Sequence, residues 1–235
     1  TFAEVLEEEM QEISLGSMGA DMADLNHDGY PEIYVTEMLP EQEHRIKTTA
    51  QFESYDKFRM NVENGYYRQF PRNVLQRNNG NNTFSEVGRL AGVHATDWSW
   101  GALMADFDND GNKDIFVANG IYKDLLNQDY IQFMGDPETV RSILTRENAV
   151  IKQLVDSIPS ERIPNYLFRQ KANWKFENVA DEWGLAAPSH SNGSAYGDLD
   201  NDGDLDLVVN NVNMPAFVYR NQTDTVTSFH WLRVV

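Results

Sequence analysis

The stretch that decides the fold reads Trp98-Ser-Trp-Gly-Ala-Leu-Met-Ala-Asp-Phe-Asp-Asn-Asp-Gly-Asn-Lys-Asp-Ile-Phe-Val117. Small and apolar residues lead up to Asp106, and β-branched and aromatic residues follow Asp114, which predicts an extended strand on each side. The residues between the two strands are mostly aspartate and asparagine around one glycine, the composition of a tight loop. This stretch therefore predicts two β-strands joined by an acidic loop.

The same pattern occurs three times along the chain. Asp106 matches Asp198 at an offset of 92 residues and Asp24 at an offset of 82 residues. The second offset also places the segment 83–87, Thr-Phe-Ser-Glu-Val, on the closely similar segment 1–5, Thr-Phe-Ala-Glu-Val. Constant offsets over separate blocks indicate a structural repeat. We therefore expect the chain to begin inside a repeat and to be an excerpt of a longer protein.

Each repeat contains two further predicted strands. Residues 73–77 and 83–87 are two extended runs, and the Asn/Gly-rich segment 78–82 between them is a hairpin signal. Four short strands that recur along a chain are typical of β-propeller blades. The expected fold class is mainly β, a partial propeller of four-stranded blades, and residues 1–235 form a single repeat region.

Two insertions, at about residues 39–70 and 121–163, separate the second and third strands of the first two repeats. The longer insertion is predicted to be helical, since Asp136 can cap a helix that begins at Pro137. The shorter insertion is predicted to be helix plus loop. We expect apolar residues of both to pack against the blades: Val140, Ile143, Leu144, Ile151, Leu154, Val155 and Ile158 in the longer, and Phe52, Tyr55, Phe58 and Tyr66 in the shorter.

The three acidic loops place oxygen donors at positions 1, 3, 5, 7 and 9, with the seventh residue offering its main-chain carbonyl. Glycine at position 6 permits the sharp turn that such convergence needs. A flexible shell made only of oxygen donors favours Ca²⁺ over Mg²⁺. Three calcium sites are predicted, the first of them weakest because it has only three carboxylates: Asp24, Asn26, Asp28, Tyr30 and Glu32; Asp106, Asp108, Asp110, Asn112 and Asp114; Asp198, Asp200, Asp202, Asp204 and Asp206.

Two other kinds of loop share part of this pattern. An EF-hand needs glutamate at position 12, where this chain has Val35, Val117 and Val209 within predicted strands, and a dockerin-type loop is excluded on the same ground. The acidic residue at position 9 is therefore predicted to close the shell. An Asx-rich turn without metal is the remaining alternative. It is disfavoured because carboxylates a few ångströms apart repel by about 1 kcal/mol per pair even in water.

Composition excludes several classes of protein. The chain of 235 residues has 37 acidic and 19 basic residues, a net charge of −18 that argues against binding nucleic acid. The absence of cysteine excludes disulfides and thiolate chemistry. No apolar run is long enough to span a membrane, and the start of the chain is not a signal peptide. Any targeting segment is therefore expected to lie outside this chain or to be absent.

The chain resembles the FG-GAP/VCBS repeat family, whose members form seven-bladed β-propellers like that of integrin α-subunits. The resemblance rests on Trp100-Gly101, on Ala105-Asp-Phe-Asp-Asn-Asp-Gly-x-x-Asp114-Ile-Phe-Val, and on Arg77-Asn-Asn-Gly with the following Thr83-Phe-Ser-Glu-Val. The sequence as a whole resembles exported bacterial VCBS-repeat proteins, near the cartilage acidic protein type. The closing segment 231–235 is similar to the start of an ASPIC/UnbV segment. The first and third repeats depart from the pattern, with Met18 and Asn192 in place of Trp100.

Strand parity predicts where a partner binds. The acidic loops and the hairpins between third and fourth strands share one end of each sheet, so the insertions and the connections between blades lie at the opposite end. The resemblance to integrin-like propellers implies that this opposite end is the ligand face. Besides the insertions, the candidate recognition residues are His94, Asp97, Trp98, Ser189 and His190, with packing or loop capping as the alternative role for each.

The sequence leaves three functions open. The first is a calcium-binding, non-catalytic module for an unknown protein or polysaccharide ligand, placed outside the cytoplasm: secreted, periplasmic or on the outer-membrane surface. The second is a calcium-dependent polysaccharide lyase or hydrolase on a propeller. No His-Glu-x-x-His, Gly-x-Ser-x-Gly or P-loop motif is present, but a paired-carboxylate site stays open. The third is an architectural piece of a longer adhesin-like chain.

Overall fold

The protein is mainly β, and its antiparallel sheets follow one another along the chain as three blades. The computed structural model describes residues 1–49, 54–145 and 149–223. Helices occupy the two long segments between the second and third strands of the first two blades. Each blade takes its strands from one repeat of the sequence, so the repeat predicted from the acidic loops is the unit of the fold.

The first blade is a four-stranded sheet preceded by a short N-terminal segment. That segment contains α1 (Leu6–Glu9) and β1 (Ile13–Ser14). The blade then runs through β2 (Ala20–Ala23), β3 (Glu32–Val35), α2 (Glu43–Thr49), α3 (Tyr55–Glu63), β4 (Gln69–Phe70), β5 (Val74–Asn78) and β6 (Phe84–Glu86). The sheet order is β2-β3-β5-β6, and β1 pairs with β4 in a separate two-stranded parallel sheet.

The second blade repeats this plan with a longer helical insertion. It follows α4 (Gly88–Ala91) and comprises β7 (Ser99–Ala105), β8 (Asp114–Asn119), α5 (Gln128–Gly135), α6 (Pro137–Thr145), α7 (Ala149–Ser157), β9 (Tyr166–Lys171) and β10 (Lys175–Asn178). The third blade has β11 (Ser191–Gly197), β12 (Asp206–Asn211) and β13 (Phe217–Tyr219). The segment 231–235, which resembles the start of an ASPIC/UnbV segment, lies outside the described residues.

The fold class predicted from the sequence is confirmed for the described chain. Two sheets have the expected four strands and the third has three. The segment 1–5 forms no strand, although the similar segment 83–87 contributes β6 to the first blade. A strand needs a partner, and β6 has β5, whereas no strand of the described chain pairs with residues 1–5. The short helix after the segment is nevertheless repeated, and α1 and α4 begin 82 residues apart.

The hydrophobic core lies between neighbouring blades in two clusters. The first cluster joins residues of the first blade, such as Tyr34 and Leu75, to residues of the second, such as Ile115 and Val117. The second cluster joins the opposite face of the second blade to the third blade through Phe116 and residues such as Leu207 and Val209. The second blade therefore presents one apolar face to the first blade and the other to the third, which sets neighbouring acidic loops side by side.

Both insertions are partly helical, as predicted. Asp136 caps α6, since its Oδ2 accepts hydrogen bonds from the backbone N–H groups of Glu138 at 3.1 Å and Thr139 at 3.0 Å, and the helix begins at Pro137. Within the shorter insertion, Phe58 stacks on Phe70 with ring centroids 5.4 Å apart.

The prediction that the apolar residues of the insertions pack against the blades is only partly right. Ile158 is buried and Leu154 is half-buried, but Tyr55, Tyr66, Val140 and Val155 are exposed. Helical periodicity identifies a face, and it does not show whether another element covers that face. Phe52 and the side chains of Ile143, Leu144 and Ile151 lie outside what the structure describes.

A buried ion-pair cluster ties the two insertions to the second blade. Arg45 of α2 is 4% exposed, and its Nε and Nη2 contact Asp97 Oδ2 and Oδ1 at 2.8 and 2.9 Å. Its Nη1 contacts Asp124 Oδ2, in the second insertion, at 2.6 Å. Since Asp97 lies on the connection into the second blade, one guanidinium holds three separate segments together. The insertions and this connection therefore share one end of the molecule, as strand parity predicts.

Three of the predicted recognition residues are buried and serve the fold. Asp97 takes part in the Arg45 cluster, Ser189 pairs with Ile163 in a β-bridge, and His190 packs edge-on against Tyr122 at 5.4 Å. These three cannot form a binding surface, so their assignment to one is wrong. The two remaining candidates, His94 and Trp98, are half-buried. All five candidate residues lie on connections between blades. The sequence alone does not show that the insertions fold over these connections.

Within residues 1–49, 54–145 and 149–223, the helices are too short or too polar to cross a membrane.

Candidate metal centres

The second acidic loop brings three carboxylates together. Asp106, Asp108 and Asp114 each place one carboxylate oxygen within 4.8 Å of the other two. Asp114 opens β8, and Asp106 directly follows β7, so the β7–β8 pairing itself brings the two ends of the loop together. The backbone thus creates a small volume surrounded by oxygen donors.

Main-chain hydrogen bonds hold the second loop in this shape. Asp106 accepts from the N–H groups of Asp110 at 3.1 Å and Gly111 at 2.9 Å, one on each carboxylate oxygen. Gly111 has φ of +91° and Asn109 has φ of 55°, so both lie in the left-handed region that glycine and asparagine tolerate best. The Asp-x-Asp-Asn-Asp-Gly order is therefore a backbone requirement as well as a donor set.

The third loop forms a second cluster with a different membership. Here Asp198, Asp200 and Asp202 bring their carboxylates within 4.8 Å of one another. Asp200 Oδ1 accepts from the N–H of Asp202 at 3.3 Å, and Asp202 Oδ1 accepts from the N–H of Asp204 at 3.1 Å. The two loops share a scaffold of backbone hydrogen bonds to the carboxylates at positions 3 and 5. In both loops the carboxylates at positions 1 and 3 belong to the cluster.

The first loop has the scaffold without the cluster. Asp24 accepts from the N–H groups of Asp28 and Gly29, as its counterpart does in the second loop. The amide of Asn26, however, donates to Asp28 Oδ2 at 2.8 Å. Asn26 therefore acts as an internal partner for a carboxylate where the other loops have a further negative charge. This agrees with the expectation that the first loop has the weakest affinity for a cation.

The acidic residue at position 9 is buried and joins the loop to the third strand of its own blade, or to the residues just after that strand. Asp114 Oδ2 accepts from the N–H of Phe107 at 3.3 Å, and its Oδ1 accepts from the N–H of Gln170 at 3.0 Å. Asp206 makes the same pair of bonds, with Leu199 at 3.0 Å and Asn221 at 2.8 Å. This residue therefore works as a structural clamp, a role beyond the closing ligand that the sequence predicts.

The position 9 carboxylate of the first loop has the same placement. Glu32 is fully buried, and its Oε2 accepts from the N–H of Leu25 at 2.9 Å, as the counterparts do from position 2 of their loops. Burial raises the pKa of Glu32 and, more strongly, that of Asp114, to about 7.

The predicted position 7 residues occupy three different environments. Asp204 is fully buried, Asn112 is half-buried and donates its amide to Asp110 Oδ1 at 3.0 Å, and Tyr30 is exposed beside Gly80. Their side chains thus differ while the backbone position is shared, which is consistent with a role for the main-chain carbonyl at this position.

Two arginines complete the clusters, and neither is among the site residues predicted from the sequence. Arg169 Nη2 contacts Asp108 Oδ2 at 2.6 Å and Asp110 Oδ2 at 3.4 Å. Arg220 contacts Asp200 Oδ2 through Nε at 2.8 Å and Asp202 Oδ2 through Nη2 at 3.3 Å. Their counterpart Arg77 lies over the ring of Trp174 instead, 5.2 Å from its centroid. The arginine recurs in each repeat, as Arg77, Arg169 and Arg220, but nothing local in the sequence shows that its side chain turns back to the acidic loop.

The donor set of the second and third loops fits calcium. All the clustered side-chain donors are carboxylate oxygens, and each cluster adjoins further carboxylate, amide or main-chain oxygens of the same loop. Burial, together with the neighbouring carboxylates, raises the pKa of both Asp106 and Asp108. One guanidinium offsets only part of the negative charge of each loop, so a divalent cation would relieve the remaining repulsion.

Comparison with known protein families identifies the repeat. A family model described as an FG-GAP-like repeat matches residues 65–117 and 157–209. Each match runs from the third and fourth strands of one blade into the first two strands of the next, and so contains one complete acidic loop. The chain therefore contains two FG-GAP-like repeats, and the resemblance drawn from its motifs is confirmed at this level. No curated protein matches the chain.

Proposed function

We propose that this chain is a calcium-binding, non-catalytic module of the propeller type that acts outside the cytoplasm. The observation that carries the proposal is the pair of carboxylate clusters at equivalent corners of the second and third blades. The residues proposed to hold calcium there are Asp106, Asp108, Asp110, Asn112 and Asp114 in one loop and Asp198, Asp200, Asp202, Asp204 and Asp206 in the other. The first loop, from Asp24 to Glu32, is proposed as a third, weaker site.

The role proposed for calcium is structural. The loops lie where two strands of a blade meet, and the position 9 carboxylates connect them to a third strand. A bound cation supplies charge neutralisation at this corner, while the chain itself supplies the turn and the clamp. Sites of this kind with dissociation constants of about 10⁻⁴ to 10⁻³ M are filled by extracellular calcium. A location outside the cytoplasm, where calcium is abundant, is part of the same proposal.

The surface proposed for a protein or glycan partner is formed by the two insertions. Ten of the eighteen large apolar side chains that are exposed in the described chain belong to them, and this share supports the proposal. These ten residues are Tyr55, Met60, Val62, Tyr66, Tyr122, Leu125, Ile131, Phe133, Val140 and Val155. The metal loops lie at the other end of the blades, so the proposed roles of scaffold and recognition are divided between the two ends.

Thermal unfolding with and without calcium tests the structural role. Free calcium at about 100 times the dissociation constant should stabilise the protein by about 2.7 kcal/mol for each occupied site, and a chelator should reverse the gain. The Asp108→Ala variant should lose the part of this gain that comes from the second loop. Asp181→Ala, which removes an exposed aspartate outside the loops, is the matched control and should keep the full gain. A melting temperature that is the same in calcium and in chelator would overturn the proposal.

A further inference from the structure

Neighbouring acidic loops are joined by the residue that follows the repeated arginine. Gln170 donates its backbone N–H to Asp114, in the acidic loop of the same blade. Its side-chain amide donates to the carbonyl of Leu25, in the acidic loop of the preceding blade, at 2.8 Å. Asn221 repeats both bonds one blade later, with Asp206 of its own loop and with the carbonyl of Phe107 at 2.7 Å. The closing carboxylate of one loop is thus two hydrogen bonds away from the backbone of the loop before it.

The second and third loops are also bonded to each other directly. Asn109, at position 4 of the second loop, donates its amide to Asp204 Oδ1, at position 7 of the third loop, over 2.6 Å. Asp204 is fully buried. At the first junction the equivalent residues, His27 and Asn112, line a cavity of about 520 Å³ instead. The junction between the second and third loops is therefore the more closely connected of the two.

We propose that the second and third loops bind their cations as a positively coupled pair, with Asn109 and Asn221 as the connecting residues. The inference rests on the proposed calcium binding. Ordering of the third loop fixes Asp204 and Asp206. Asp204 then holds Asn109, a residue of the second loop, and Asp206 holds Asn221, whose amide bonds the backbone of the second loop. Part of the entropy cost of ordering the second loop has then already been met, which is the physical basis of positive coupling between sites.

Calcium titration by calorimetry, on the whole chain, tests this coupling. In the wild type, filling one of the two loops should raise the affinity of the other by about fivefold or more, the lower end of ordinary coupling between sites. Asn109→Ala should lower this factor clearly, while calcium still binds, because only the Asn221 connection remains. Asn201→Ala is the matched control, because Asn201 has the same loop position and a similar left-handed backbone, with φ of 64° against 55° for Asn109. It is exposed, and we expect its variant to keep the coupling.

The possible outcomes separate the two proposals. Two independent sites in the wild type, or equal loss of coupling in Asn109→Ala and Asn201→Ala, would overturn the coupling while calcium binding stands. No calcium binding in the wild type would overturn the proposed function and the coupling together. Asn221→Ala gives a second measurement should Asn109→Ala fold poorly. It removes the side-chain bond to Phe107 and retains the backbone bond to Asp206, so coupling should again fall.

Discussion

Replacement of Arg45 by methionine is expected to lower the free energy of unfolding by about 3–5 kcal/mol. The substitution keeps a long apolar side chain in place but removes the charge that lies between Asp97 and Asp124. Both carboxylates are buried and would be left without their cationic partner. The cost of an uncompensated buried charge, rather than the strength of the ion pair itself, makes this effect large.

Denaturant unfolding of Arg45→Met beside Lys47→Met measures this effect. Lys47 belongs to the same helix, and its ion pair with Glu43 is exposed on both sides, so its removal should cost no more than about 1 kcal/mol. A loss in Arg45→Met that is no larger than in Lys47→Met would show that the two insertions are not held by the buried cluster. In that case the triple variant Arg45→Met, Asp97→Leu, Asp124→Leu should also gain nothing over Arg45→Met.

Replacement of Asp114 by alanine is expected to destabilise the protein by about 2–6 kcal/mol even in chelator. The carboxylate is buried and accepts from two backbone N–H groups, of Phe107 and Gln170, and each unsatisfied buried donor costs about 1–3 kcal/mol. Asp114→Asn keeps one side-chain acceptor and should recover roughly half of the loss. The measurement is the free energy of unfolding in chelator.

The matched variant for Asp114→Ala is Asp108→Ala. Asp108 belongs to the same carboxylate cluster but accepts from a single backbone N–H, that of Asp110. In chelator, Asp108→Ala should therefore lose clearly less stability than Asp114→Ala, whereas both should lose the calcium-dependent gain. Equal losses in chelator would mean that position 9 acts only as a ligand and does not clamp the third strand.

The blades were predictable because their signals are local and repeated. Alternation of apolar residues, an acidic loop with glycine at its sixth position and the offsets of 82 and 92 residues define strand, corner and repeat without any knowledge of long-range contacts. The helix cap at Asp136 was predictable for the same reason. The segment 1–5 was not, because a strand also needs a partner, and the sequence pattern of one strand does not supply it.

The parts of the site that sequence analysis missed depend on contacts between distant residues. Gln170 and Leu25 are 145 residues apart, and Arg45 and Asp97 are 52 residues apart. The composition of these segments does not distinguish a buried pair from two exposed charges. The same reason explains the misplaced recognition residues, since the burial of Asp97 and His190 results from the way the insertions fold over the connections between blades. The arginine and the amide after it could have been suspected from their recurrence at Arg169-Gln170 and Arg220-Asn221.

Equilibrium dialysis of chelator-treated protein measures the number of calcium ions bound per chain. We expect two calcium ions per chain at moderate calcium concentration, held by the second and third loops, and a third only at higher concentration, held by the first loop. Asp108→Ala should bind one fewer ion in the first phase. No calcium bound above the level found for a calcium-independent control protein would contradict the account, and so would an undiminished first phase in Asp108→Ala.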